Sequence, residues 1–411
     1  PADEPPPLRR NRDFTLLWLG AGVSLLGGRL SSVAYPLLIV WSGGSIAAAG
    51  LVSFAAQLPQ LVVQLPAGAL VDRWDRRRVM LYCDVGAGVA MTVVVSVLLS
   101  GHLWIPLLMA AAFVEGTATI CYRLAERAAV RNVVHPSHLS TAFSRNEARG
   151  QAAGLLGSPL GTGLFAVLPW LPFAASAGGR VFAFGSLLRI RTRFQQPGRP
   201  ASRSLRAEIA EGMTWLWRQR FLRAAISLVA GSNLVFQATS LALVLIIKQH
   251  GGSPAELGVV GIVSGLGGVA GALSGRWWLA RTSAAGIVTG AFALWTVLVP
   301  LLLITPNPIV LGILFAGVSA IGATTNVTAG VYLSQICPDR MQGRVISVAT
   351  LLSSGTNAFG AVAAGFALAH WGVGHTISVA AAAMALLAIT AAVSPAVRSG
   401  RSVHSGRTVP E

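Results

Sequence analysis

The chain has 411 residues, 54% of them hydrophobic and only 11% charged, with a mean hydropathy of +0.66. An average soluble domain carries roughly 25% charged residues, so a water-soluble globule of this size would lack the polar surface it needs. The net charge of +17 suggests nucleic acid, but the basic residues sit between apolar runs on alternate sides. They are not interleaved with aromatics on one surface, which argues against a nucleic-acid partner.

The first stretch, 1–13, is polar and Pro-rich. It lacks a short apolar run with a small-residue cleavage site, so it reads as a tail and not a cleaved signal peptide. Apolar runs near twenty residues follow, long enough to cross a hydrocarbon core of about 30 Å as helix. The spans predicted in the first half are 14–40, 46–71, 79–99, 104–127, 139–168 and 172–190. Pro36, Pro59, Pro66 and Pro159 fall inside them, which membrane helices tolerate because neighbours satisfy the freed backbone groups. The segment 191–220 begins as linker, QQPGRPASRS, and continues with helical spacing that puts Ile209, Met213, Leu216 and Trp217 on one side. That pattern predicts an amphipathic helix on the inner membrane surface. The second half gives spans at 221–247, 255–279, 284–304, 307–335, 343–369 and 372–394, then a tail, 395–411.

The fold class predicted is therefore an all-α membrane protein with twelve transmembrane helices in two six-helix pseudo-repeats, 14–190 and 221–394. The halves echo each other: Gly68-Ala-Leu-Val-Asp-Arg-Trp matches Gly271-Ala-Leu-Ser-Gly-Arg-Trp, and Pro136 matches Pro338. Parallel repeats of this kind are the plan of the major facilitator fold. Arginine sets the orientation. Arg9, Arg10 and Arg12, then Arg73 and Arg76 to Arg78, Arg123, Arg127 and Arg131, the 189–223 segment and the C-terminal tail are all on one side, whereas the opposite loops hold only Lys248. The positive-inside rule places both termini in the cytoplasm of a cell-membrane protein. Tryptophans such as Trp18, Trp41, Trp104 and Trp371 fall near span ends, as headgroup-level rings should, while Trp295 alone is mid-span. Cys83, Cys121 and Cys337 and the scattered histidines form no metal pattern. No metal or cofactor is expected. No nucleotide-binding or nucleophile motif appears, so the protein is not expected to be an enzyme, and an ion gradient is the expected energy source.

GALVDRWDRRRVM, residues 68–80, resembles the signature of the major facilitator superfamily between its second and third helices, through Gly68, Leu70, Asp72, Arg73, Arg76 and Arg77. The stretches 10–27, 145–165 and 211–224 resemble bacterial drug and macrolide exporters, including the enterobactin-exporter-like branch. The resemblance implies proton-driven export by alternating access. It also implies a conformational latch of Gly68, Asp72, Arg73, Arg76 and Arg77, with Glu126 joining Asp72 and Arg76 in a charge relay. The fifth-helix antiporter motif is represented by Gly154, Gly157, Pro159, Gly161 and Gly163, with Ser158 breaking the usual Gly-Pro pair. In the fourth helix, Ala112 stands where an arginine is common and Glu115 replaces a glutamine.

Read by residue chemistry, Glu115 and Arg29 each lie about eleven residues from the outer face, roughly 16 Å deep at 1.5 Å per residue. Charges at that depth need partners or water. The two are expected to pair, with Glu115 the proton carrier and Arg29 released by its protonation. Glu147, between Arg145 and Arg149, is a second proton-coupling candidate, and Arg180 is a cavity cation for an anionic contact. Asp84 is expected in a cytoplasmic charge network. Neutral groups in the second half, Asn233, Gln237, Asn326 and Asn357, are candidates for substrate contact or for bonds between helices. Export of an amphipathic drug or natural product by a monomer exchanging protons is the leading expectation. The alternatives are export of a siderophore or other anionic metabolite, and a non-transporting receptor with the same fold.

Overall fold

The structure, a computed structural model, describes residues 8–192, 194, 205–337 and 339–398. The linker sequence 195–204, Pro338 and the outer parts of both tails lie outside the described residues. The chain divides into two compact units, Pro1–Ser202 and Arg203–Glu411. Among the described residues all regular structure is helical, with no strand.

The first unit contains α1 (Arg12–Trp41), α2 (Ile46–Val62), α3 (Gln64–Arg73), α4 (Arg76–Leu99), α5 (Ile105–Val133), α6 (Leu139–Val167) and α7 (Leu171–Arg189). Side-chain caps fix several starts. Asn11 Oδ1 accepts from Phe14 N at 2.9 Å, Ser45 Oγ from Ala48 N at 3.1 Å and Asp75 Oδ1 from Arg78 N at 3.0 Å. The expected span 46–71 is two helices. Pro66 has no N–H for the Val62 carbonyl and its ring crowds that group, so α2 stops at Val62 and the chain bends at Val63.

The second unit contains α8 (Leu205–Arg218), α9 (Arg220–Gln249), α10 (Pro254–Arg281), α11 (Ala284–Leu301), α12 (Pro308–Ile336), α13 (Asp339–Val393) and α14 (Pro395–Arg398). α13 makes two passes. The chain turns at Gly372, whose φ of 70° and ψ of −179° suit only glycine, where the sequence predicts the junction of its last two spans. Nine helices among the described residues are long and apolar enough to cross a membrane. The twelve passes are reached because α13 supplies two, α2 and α3 together make one, and the more polar α6 makes another. In α8, Leu216 is buried and Trp217 exposed, and the helix packs on α9 and α13. The Ile209 side chain lies outside the described ones.

The pseudo-repeat is visible in which helices pack together. In the first unit α2 packs on α5, α4 on α5 and α7, and α1 on α6 and α7. In the second, α10 packs on α12, α11 on α12 and α13, and α9 on α13, which is the same pattern. Glycine sets the closest approach: a Cβ at Gly267 or Gly271 of α10 would overlap the Ala316 or Ala320 backbone of α12. Trp295 is mid-span because its ring fills a core site against Phe236 and Phe292, and its indole N–H donates to the Val318 carbonyl at 3.2 Å.

Candidate functional site

Four helices of the first unit bring polar groups to one buried point. α1 supplies Ser24 and Ser31, seven residues and about two turns apart, so they share a face. α4 supplies Asp84. α5 supplies Glu115 and Thr119, and α7 supplies Ser176 and Arg180, each pair with the i, i+4 spacing that aligns side chains. A Cβ at Gly27 would lie 2.9 Å from Ser176 Cα, so the bare glycine lets α1 close on α7.

Ser31 Oγ donates to both Glu115 oxygens, at 2.7 and 2.8 Å, and Ser176 Oγ to Oε1 at 2.9 Å. Arg180 Nη1 donates to Ser24 Oγ at 2.8 Å, and Nη2 to Thr119 Oγ1 at 3.0 Å. Nη1 also lies 3.6 Å from Asp84 Oδ1, an ionic contact too long for a hydrogen bond. Neither Asp84 oxygen, nor Arg180 Nε, has a hydrogen-bond partner among the described residues. Exposure is 2% at Asp84, 5% at Glu115 and 2% at Arg180. A Cβ at Gly28 would lie 3.7 Å from Arg180 Nη2 and 4.0 Å from Glu115 Oε1, so the two charges border one small volume.

One guanidinium thus serves two carboxyls away from water. Burying an uncompensated charge costs several kcal/mol, so the trio is balanced when one of the carboxyls holds a proton. The partners of Glu115 suit either state, because a serine hydroxyl donates to a carboxylate and accepts from a carboxylic acid. Glu126 differs. Its Oε1 accepts from Arg149 Nη2 at 2.7 Å, and Arg149 Nη1 donates to the Trp18 carbonyl at 3.0 Å. A guanidinium can only donate, which favours the ionised form of Glu126 over the acid.

The expected pair of Glu115 with Arg29 is not formed. Arg29 is exposed, and its Cβ lies where a Cβ on Gly157 of α6 would be. Equal depth does not give an equal face: residues 29 and 31 point roughly 160° apart around a helix of 3.6 residues per turn. Nor does Asp84 join a cytoplasmic network, since it faces Arg180. Glu147 is exposed and accepts from Gln151 Nε2 at 3.0 Å.

Of the expected relay of Asp72, Arg76 and Glu126, the two described side chains do not meet: Glu126 is held by Arg149. Arg76 donates to the carbonyls of Phe194, at 3.0 Å, and Ala128, at 3.4 Å. Arg77 donates to those of Leu187, at 2.7 Å, and Leu188, at 3.0 Å, at the α7 C-terminus where a cation is favoured. Arg73 is exposed, Gly68 has open space around it, and the Asp72 side chain lies outside the described ones. In the fifth-helix motif, Gly157 and Gly161 meet Arg29 and the Leu30 backbone of α1, while Gly154 and Gly163 have open space and Pro159 sits inside α6.

In the second unit, Asn233 Nδ2 donates to the Ser353 carbonyl at 2.9 Å and so ties α9 to α13. Gln237 lies beside Gly360, Asn326 is exposed and Asn357 is half-buried. Sequence reasoning missed the serine set and placed Asp84 in the wrong network. The seven-residue spacing of Ser24 and Ser31, and the four-residue spacing of Ser176 and Arg180, are the signals that point to them.

The family model described as Major Facilitator Superfamily matches residues 17–360. The multidrug efflux pump Tap of Mycolicibacterium fortuitum is 26% identical, covering 94% of this chain and 95% of its own. Among solved structures, a nucleoside transporter NupG mutant aligns with a TM-score of 0.76 at 11% identity, over 92% of this chain and 99% of its own. A bacterial homologue of the lysosomal transporter Spinster, inward-facing and unoccupied, aligns at 0.70 and 13% identity, over 98% and 100%. With the twelve-pass repeat and the signature at 68–80 already in hand, these matches place the chain in the Major Facilitator Superfamily.

Proposed function

We propose that the protein is a monomeric secondary transporter that exports an amphipathic small molecule across the cell membrane, with both termini in the cytoplasm and protons as the counter-ion. Glu115 is the proton carrier and Arg180 its charge partner, with Asp84 the second carboxyl. The observation that carries this is the sealed trio of one cation and two acids, in which the hydroxyl partners of Glu115 accommodate both protonation states. A relative named as a multidrug efflux pump, matched nearly end to end, supports a drug-like substrate. Glu147 is the weaker candidate, because its carboxyl is exposed and bonded by Gln151 and is not sealed against a cation.

The test uses purified protein in vesicles with an imposed pH gradient and ethidium as probe. The wild type should move ethidium against its gradient. Glu115→Gln should lose that movement yet still exchange ethidium at equal pH. Undiminished gradient-driven movement in Glu115→Gln removes Glu115 from the mechanism. A second reading, export of an anionic metabolite, is favoured by Arg29, an exposed guanidinium with no ion pair among the described residues. It predicts that an anionic catecholate competes with ethidium in the wild type and not in Arg29→Gln.

A further inference from the structure

Three guanidiniums of the first unit are exposed and stand without a carboxylate partner. Arg29 belongs to α1, and Arg123 and Arg127 to α5. None forms an ion pair or a side-chain hydrogen bond among the described residues. Arg123 and Arg127 are four residues apart, so their like charges share a face and repel. Arg127 and Arg29 are the cations acting on Arg123, and the anions acting on it are Glu126 and Glu147. Glu126 is already taken by Arg149 at 2.7 Å, and Glu147 is bonded by Gln151. With Arg149 counted, four cations meet two carboxylates in one neighbourhood, an excess of two positive charges.

Membrane topology does not account for this excess. Arg12 and Arg131, at the ends of α1 and α5, are where the positive-inside rule wants charge. Arg29 stands seventeen residues into α1, about 25 Å along its axis, and Arg123 ten residues before the end of α5, about 15 Å. An unpaired cation held that far from a helix end is stable only against water or an anion, because hydrocarbon offers neither. Gly157 steadies Arg29: a Cβ there would fall on the Arg29 stem, so the stem packs against α6 while the residue stays exposed. A guanidinium presents its donors in a planar fork that fits carboxylate and phosphate oxygens. This face repels a cationic ligand, and a neutral one leaves its charge unmet.

We propose that Arg29, Arg123 and Arg127 together bind the dianionic head of an amphipathic molecule, a phosphate monoester or a pair of carboxylates. The two negative charges match the local excess, and the spread of the three arginines over two helices suits a head that accepts several hydrogen bonds. Its standing as cargo rests on the export of an anionic metabolite read above; the site itself does not. A free amphiphile and a phosphate-headed lipid offer the same chemistry.

The probe is 1-naphthyl phosphate, a fluorescent phosphate monoester, with 1-naphthol as the same ring without the charge. Full-length protein in phosphatidylcholine nanodiscs would be titrated with each. Saturable binding of the phosphate, weakened by salt, is expected, with naphthol about tenfold or more weaker. Arg29→Gln and Arg123→Gln should each weaken it by about tenfold or more, the value of a hydrogen bond between charged groups. Arg131→Gln, which changes an exposed charge at the end of α5, should leave it unchanged. All three side chains are exposed, so normal size-exclusion elution is expected throughout. Equal affinity for phosphate and naphthol, or affinity unchanged in both Arg29→Gln and Arg123→Gln, overturns the proposal. So does an equal loss in Arg131→Gln, which would mark a general surface potential. Nanodiscs doped with phosphatidic acid distinguish the sources: displacement of naphthyl phosphate supports the site with a lipid headgroup as its occupant, and no displacement supports it with a free amphiphile. Binding as expected without gradient-driven movement of naphthyl phosphate in vesicles keeps the site and sinks anionic export, whereas movement that survives Arg29→Gln and Arg123→Gln sinks the site alone.

Discussion

Replacing Arg180 with methionine keeps much of the side chain's bulk but removes the only cation within ion-pair distance of Asp84 among the described residues. Two hydrogen bonds from a charged donor, to Ser24 and Thr119, go with it. Asp84 and Glu115, 2% and 5% exposed, are then acids without a counter-charge. Breaking a buried pair by deleting one partner costs about 3–5 kcal/mol. For a unit of this size each kcal/mol moves the midpoint by roughly 2–4 °C, so a loss on the order of 10 °C is expected in thermal unfolding in detergent. Neutralising the nearest orphan should restore part of it. Arg180→Met with Asp84→Asn is expected to regain about 2 kcal/mol, while Arg180→Met with Glu147→Gln regains nothing, because Glu147 is exposed and remote in its bonding. A single variant within 2 °C of wild type (about 1 kcal/mol or less), or equal recovery in both double variants, would refute the ionic account of the trio.

Glu126→Gln should cost about 2 kcal/mol by leaving Arg149 without its carboxylate, whereas Glu115→Gln should cost less than about 1 kcal/mol because serine hydroxyls also bond an amide; midpoints measured side by side decide the order. Gly271→Leu should prevent normal folding or cost more than about 3 kcal/mol, since even a Cβ overlaps the Ala320 backbone, while Gly68→Ala should be neutral in the same elution and melting assays. Arg77→Ala should lower the midpoint by about 1–2 kcal/mol through loss of its bonds to the last carbonyls of α7.

The spans were legible because hydropathy and length constrain a membrane helix strongly, and the final turn, at Gly372, lies beside the 369/372 junction read from the sequence. The break within the second span depended on which proline mattered, and Pro66 fixes it through its i−4 carbonyl. Glu115 and Arg180 stood out as intramembrane charges, since such groups are costly and need a reason. Their partners did not, because depth along a helix says nothing about its azimuth. Arg29 and Ser31 share a depth and face opposite ways. Serines carry little sequence signal in a chain rich in small residues, although they form the cage around Glu115. The sequence separates Glu115 from Glu126 by depth, mid-span against span end, but not by the partners each carboxyl meets. The distinction comes from the neighbours, a guanidinium for one and hydroxyls for the other.

Proton release on substrate binding is the most direct measurement. Purified wild-type protein in weakly buffered solution should release up to about one proton per chain when ethidium saturates it, if Glu115 holds a single exchangeable proton against Arg180. Glu115→Gln should bind ethidium and release none. Equal release from both proteins, or ethidium binding by the wild type with no change in pH, would contradict a coupling centre at Glu115.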